Sequence, residues 1–381
     1  MTALRAGARR PPAPDGFHLA RWGREPLALL QEGAALGEVF TLRLWRRVVV
    51  GYRPVWNRAV LGDLDTFRSR GSLSGLTPYL SSGVVAADGR PHAESRKALN
   101  PHFHSRTVSR LADRMREVVD RNRPTGQFEA LEWSGAVVRG LLNETLFGGA
   151  LDRELLQRFV APLERSNPAG LVPRPRLFAS VNRAIRTIVA DPPEDSFAAA
   201  LADPSHPWPV GHDPVVELRV ALAAAYDTTA HTLAFALWRL AEARDWLAPD
   251  LLPQALDEVQ RLYPAGWVGS RIAARDCEPA GFPVRAGTMV FYSPYLTHHD
   301  PLLWPQPEQF RPERFDAGRP AWGFIPFAAG ARTCLGAPLA RLMLRTALEP
   351  FHTRRLERVD GDATPVTGIT LRPNGPLLIR S

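Results

Sequence analysis

Apolar residues recur at helical spacing along most of the 381-residue chain, and the breaks between runs are marked by Gly, Pro or Asn. This pattern predicts helices over residues 55–64, 91–99, 107–122, 133–146, 153–166 and 177–190. Strand-like alternation over 39–44, resumed at 48–50 past Arg46 and Arg47, predicts a small sheet near the N-terminus. Two proline-dense stretches, 167–175 and 202–214, read as loops, and the second leads into a long apolar helix through 220–240. Beyond Pro249 come a helix over 251–262, strand-like pieces around 271–291, a proline-rich irregular stretch over 301–326 and a final helix over 337–351. With no repeat at solenoid spacing, the pattern gives a mainly α fold with minor β. It forms a single large helical domain over 17–381 behind a flexible N-terminal tail, 1–16.

The apolar stretch 220–240 is about the length that spans a bilayer. Asp227, Thr228, Thr229 and His231 sit at its centre, where a charge is costly in lipid. It therefore reads as a buried helix of a soluble protein, with no membrane partner. The tail lacks an apolar core of signal-peptide length.

The formal charge of +8 comes from 47 basic and 39 acidic residues, and Lys97 is the only lysine. The arginines are scattered among acids and prolines without a basic helix or aromatic-interleaved stripe, which argues against nucleic acid. The two cysteines, Cys277 and Cys334, are far apart and differ in context. They give neither a disulfide framework nor a zinc-type pair, and fit a reducing, cytoplasmic setting.

The most informative stretch is Phe327-Ala-Ala-Gly330-Ala-Arg332-Thr-Cys334-Leu-Gly336, a lone cysteine in a glycine-flanked turn directly before a helix. Backbone N–H groups of the turn and the positive helix N-terminus suit a thiolate, and glycines let the backbone approach a flat ligand. Arg332 is placed to pair with a carboxylate of that ligand. The spacing Phe-x-x-Gly-x-Arg-x-Cys-x-Gly resembles the haem-binding signature of the cytochrome P450 family, with all five fixed positions present.

That resemblance implies haem b (iron protoporphyrin IX) as cofactor, with Cys334 as the thiolate ligand of its iron. Phe327, Arg332 and Gly336 would contact the cofactor. Three further matches stand in the family's order. Glu258-Val-Gln-Arg261 and Arg314, within Pro312-Glu313-Arg314-Phe315, would form a buried network beneath the haem. Ala224-Ala225-Tyr226-Asp227-Thr228-Thr229 resembles the oxygen-activation segment, with Thr228 as the hydroxyl at the oxygen and Asp227 as the gate for incoming protons. Here Ala225 stands where the family most often has glycine. Gly89-Arg-Pro-His92-Ala-Glu-Ser-Arg96 resembles the helix whose His and Arg reach a haem propionate, and Arg271 is similarly placed alongside Arg332.

The expected activity is monooxygenation of a small, largely apolar molecule. For the soluble bacterial type this points to a polyketide, aromatic or terpenoid intermediate of secondary metabolism. Pocket walls are expected from the 70–85 loop, from Val220, Ala223 and Ala224, from Trp267, whose large ring would narrow the cavity, and from Ile369. Electrons would come from a small acidic ferredoxin, and the protein would act as a monomer. A haem protein without turnover, such as a sensor or scavenger, would keep Cys334, Arg332 and Arg96 but has no need of Asp227 and Thr228. Oxidative coupling or cyclisation on the same haem is the other alternative. Cys277 has no glycine turn and reads as inert, and His298 and His299 read as loop residues.

Overall fold

In the computed structural model, residues 11–165 and 171–381 are described. Helices dominate, and the strands among the described residues are β1 (Val39–Arg43), β2 (Arg47–Gly51), β3 (Phe67–Arg68), β4 (Gln127–Glu129), β5 (Gly269–Ala273), β6 (Met289–Tyr292), β7 (Glu357–Gly361), β8 (Pro365–Thr367), β9 (Leu371–Pro373) and β10 (Leu377–Arg380). The largest sheet has the order β1-β2-β6-β5-β3. The alternating N-terminal segment folds as an antiparallel hairpin, Phe40 opposite Val50. Its second strand lies parallel to β6, Val50 opposite Phe291. Apolar residues from both strands of the hairpin pack with Leu29, Leu30 and Phe291 in one core cluster.

The helix Pro214–Glu242 is the axis of the molecule. Asp213 caps it by accepting the Val215 N–H at 2.9 Å, and Pro214 at the first turn has no N–H to lose. Leu222, Leu233 and Leu237 are fully buried, each contributing about 1.5–3 kcal/mol. Its chief neighbour is the helix Ala130–Phe147, which starts at a Glu129 cap and stops at Gly148 with φ 58°, a left-handed turn that glycine adopts freely. These two helices with Leu252–Leu262 and Ala337–Leu348 form the main core.

Several expectations shift. The predicted helix over 107–122 is broken into Ser105–Val108, a tight turn and Ala112–Arg121. There the hydroxyls of Thr107 and Ser109 bond to the carbonyls of Pro101 and Arg106, competing with the helical ladder. The helix expected over 153–166 ends at Val160, and Ser166 lies outside the described residues. The final helix stops at Leu348, just before Pro350. Two N-terminal helices, His18–Arg24 and Pro26–Leu36, were not predicted. Nor were the short strands β7 to β10, of which β9 and β10 alternate buried and half-buried positions.

The last residues of the expected tail, 11–16, are described. Pro12 accepts the Thr41 N–H at 2.7 Å, and the Pro14 carbonyl bonds the buried His18 ring, so 12–14 are tied to the sheet. Residues 1–10 and 166–170, which include part of the tail and the first part of the 167–175 loop, lie outside the described residues.

Candidate active site

Cys334 sits in the turn that leads from Gly330–Arg332 into the helix Ala337–Leu348. Its N–H donates to the Phe327 carbonyl at 2.9 Å, closing the turn. Gly330, at φ 71°, must be glycine: a Cβ would stand 2.7 Å from the Leu61 carbonyl oxygen. A Cβ on Gly336 would instead meet only the Cys334 sulfur, at 3.8 Å. Cys334 is accessible although it lies deep among protein atoms, so the residue borders open space within the fold. Burial raises the thiol pKa, while the Gly336 and Ala337 N–H groups, Arg96 and Arg341 pull it down. The thiolate is thus partly solvated by protein, and a bound cation would complete its stabilisation. Arg341 also lies over the Phe327 ring, 4.8 Å from its centroid.

Around this turn gathers positive charge. Arg96 donates to the Thr333 carbonyl at 2.7 Å. Arg332 is held by Asp88 at 2.6 Å, and Arg271 donates to the Ser270 carbonyl and lies over the Tyr292 ring. Yet the buried Nε atoms of Arg271 and Arg332 have no hydrogen-bond acceptor. Burial, then Arg332 and Arg96, push the His92 pKa down to about 4, so its imidazole is neutral near pH 7. Two orphaned guanidinium donors beside a neutral histidine and a third arginine are the donor set for a dianionic ligand, and a cysteine thiolate is a soft donor able to ligate iron. The residues present therefore fit haem.

Glu258 and Arg261 face each other across one helical turn with no solvent exposure. Arg314 reaches the same carboxylate at 3.1 Å, and the Arg311 N–H adds a bond at 2.9 Å. Arg261 also donates to the carbonyls of His298 and Pro307, each at 2.7 Å. His298 closes the short helix Pro294–His298 rather than lying in a loop, and its Nε2 accepts the Ile325 N–H at 2.9 Å.

On the long helix, Thr228 donates its hydroxyl hydrogen to the Ala224 carbonyl at 2.8 Å. The Asp227 carboxylate is buried and accepts from Thr370 at 2.6 Å. Val220 and Ala223 are buried, and Ala224 and Ile369 are half-buried. Trp267, expected as a pocket wall, is buried. Its indole packs against Trp22 at 5.4 Å inside the sheet cluster, a neighbour supplied by an N-terminal helix. Two surface clefts, about 470 and about 360 Å3, are lined by neither Cys334 nor Thr228.

Sequence reasoning missed Asp88, His231 and Thr370. His231 was findable as the residue four places beyond Asp227 on one helix face. Asp88 and Thr370 reach the site only through the fold. Among the described residues there is no cluster of three or more His, Cys, Asp or Glu side chains able to hold a metal ion, and no helix long and apolar enough to cross a membrane.

A family model described as cytochrome P450 matches residues 250–352. A cyclooctat-9-en-7-ol 5-monooxygenase of Streptomyces melanosporofaciens is 26% identical, the match covering 95% of this chain and 92% of that protein. A putative cytochrome P450 139 of Mycobacterium tuberculosis is 25% identical over 81% of this chain and 85% of its own. Among solved structures, a retinoic acid-bound cyanobacterial CYP120A1 superposes with a TM-score of 0.83 at 22% identity, covering 98% of this chain and 99% of that one. A six-coordinated cytochrome P450 of Thermus thermophilus gives 0.76 at 25% identity over 93% and 98%.

Proposed function

Because this chain belongs to the cytochrome P450 family, whose members are haem-dependent monooxygenases, we propose that it binds haem b through Cys334 and oxidises an apolar small molecule. The substrate class is a secondary-metabolite intermediate of polyketide, aromatic or terpenoid type, and a ferredoxin-type partner delivers the electrons to a cytoplasmic monomer. The observation that carries the proposal is the Cys334 turn. Two N–H groups and the guanidinium of Arg96 act on its sulfur, and Arg271 and Arg332, close enough to repel each other, keep unmatched buried donors. Cyclooctat-9-en-7-ol, on which the Streptomyces relative acts, is an apolar alcohol, which supports the substrate class.

When bound, haem supplies dioxygen activation with two externally delivered electrons. The chain supplies the rest. Gly336 and Ala337 would hold negative charge on sulfur, and His92, Arg96, Arg271 and Arg332 would receive the propionates. Because the Thr228 hydrogen is committed to the Ala224 carbonyl, its oxygen lone pairs remain to accept a hydrogen bond from the site. Asp227, one residue earlier, is the gate for incoming protons. Val220, Ala223, Ala224 and Ile369 shape an apolar wall that excludes water.

Reduced, CO-treated protein should absorb at the long-wavelength position of thiolate ligation. Cys334→Ser should lose that band and Cys277→Ser keep it. A band surviving in Cys334→Ser sinks the proposal.

A further inference from the structure

Asp227 is not a free carboxylate. Thr370, from the turn between β8 and β9, donates to its Oδ2 at 2.6 Å. His231, one turn along the same helix, bonds the same Thr370 hydroxyl through Nδ1 at 2.9 Å and faces Asp227 Oδ1 through Nε2 at 3.4 Å. All three are buried, at 2%, 3% and 4% exposure. A hydroxyl has one hydrogen. Thr370 commits it to Asp227, so the hydrogen in the second bond must sit on His231 Nδ1. That leaves Nε2 and Oδ1 facing each other, and Oδ1 has no other hydrogen-bond partner. Two bare lone pairs opposed in a buried site repel, so one more proton lies between them, as carboxylic acid with neutral imidazole or carboxylate with imidazolium. Both forms carry zero net charge.

We propose that His231 and Thr370 are positioning residues for oxygen activation. They lock the Asp227 carboxyl in a closed three-residue unit and store one proton with it, a single residue from the Thr228 hydroxyl. This rests on the monooxygenase reading above. The stored proton passes from the Asp227–His231 edge toward the acceptor lone pairs at Thr228 and is replaced from solvent, so no other reactant is required. Burial raises the Asp227 pKa and lowers that of His231, which favours the neutral arrangement. Other ionisable groups facing the unit are Glu164 and Arg372, with Arg139 and Tyr226 bonded to the Glu164 carboxylate. The Leu371 carbonyl also favours a protonated His231 ring.

The test has two arms. In the ferrous CO holoprotein labelled with 15N-histidine, the His231 signals are those missing from His231→Gln. They should show a protonated Nδ1, and they should stay constant from about pH 5.5 to about pH 9, across the ordinary histidine midpoint near ~6.5. An unprotonated Nδ1, or titration near that midpoint, overturns the shared proton. In turnover, Thr370→Val should keep the CO band and the substrate-induced spectral shift. It should lose product per reductant on the order of tenfold, with more peroxide, and Thr370→Ser should restore the ratio. A wild-type ratio in Thr370→Val overturns the positioning role. A wild type without the thiolate CO band would instead overturn the reading on which the proposal rests.

Discussion

Glu258 and Arg261 form an ion pair at 2.7 Å in which neither side chain has any solvent exposure. Such a pair stabilises little by itself, because both charges have left water, but stranding one member is costly. The arrangement is closed by backbone: Arg261 ties the carbonyls of His298 and Pro307 to the Leu252–Leu262 helix, and Glu258 takes the Arg311 N–H. The network thus fastens the irregular stretch that leads to Cys334 onto a helix of the core.

Glu258→Ala should destabilise the fold by about 3–5 kcal/mol, because Arg261 and Arg314 are left without their carboxylate. Little folded holoprotein is expected. A melting temperature and haem content equal to wild type would show that the network does not hold this region.

Arg271→Ala should loosen the cofactor without unfolding the chain. The guanidinium makes one backbone bond and leaves its buried Nε without an acceptor, so its unmet demand is for an anion. A charge-assisted bond of about 1.5–3 kcal/mol corresponds to roughly tenfold to hundredfold weaker haem retention. Transfer of haem to an excess of apomyoglobin reads this directly, and an unchanged transfer rate would remove Arg271 from the propionate site.

Thr228→Ala should leave substrate affinity and reduction nearly intact while raising peroxide and lowering product per reductant consumed. Acid–base assistance of this kind is typically worth ~10²–10⁴-fold. Ala225 lies beside the Thr228 back-bond, its carbonyl 3.3 Å from the hydroxyl. An unchanged product ratio would mean that protons reach the site by another route, such as hydroxyls of the substrate.

Cys277 should be chemically quiet. Its backbone is bridged to Val284, and burial, with Asp63 and Asp276 nearby, pushes its thiol up to about 11. The thiolate is the nucleophile, so near pH 8 only ~10⁻³ of the residue is reactive, and alkylation should rise about tenfold per pH unit toward pH 11. Iodoacetamide labelling of Cys334→Ser, followed by mass spectrometry, isolates this thiol. Rapid labelling at neutral pH would show that the residue is exposed and activated.

What the sequence determined alone was whatever short-range spacing encodes. Helix positions followed from apolar periodicity, and the Cys334 turn from its glycines. The Glu258–Arg261 and Asp227–His231 pairs share a helix face because three or four residues make one turn. The prolines of 202–214 marked the approach to the long helix, which starts at Pro214. Long-range neighbours were decided only by tertiary structure. Thr370 meets Asp227 across 143 residues, and Asp88 meets Arg332 across 244. Trp267 became sheet core because Trp22 packs against it. Strands β7 to β10 are too short to be read from the sequence, and exist because β10 pairs with both β4 and β7 while β8 pairs with β9. A side chain's chemistry is local, but its hydrogen-bond partner and its burial are set by whichever distant segment the packed core brings against it.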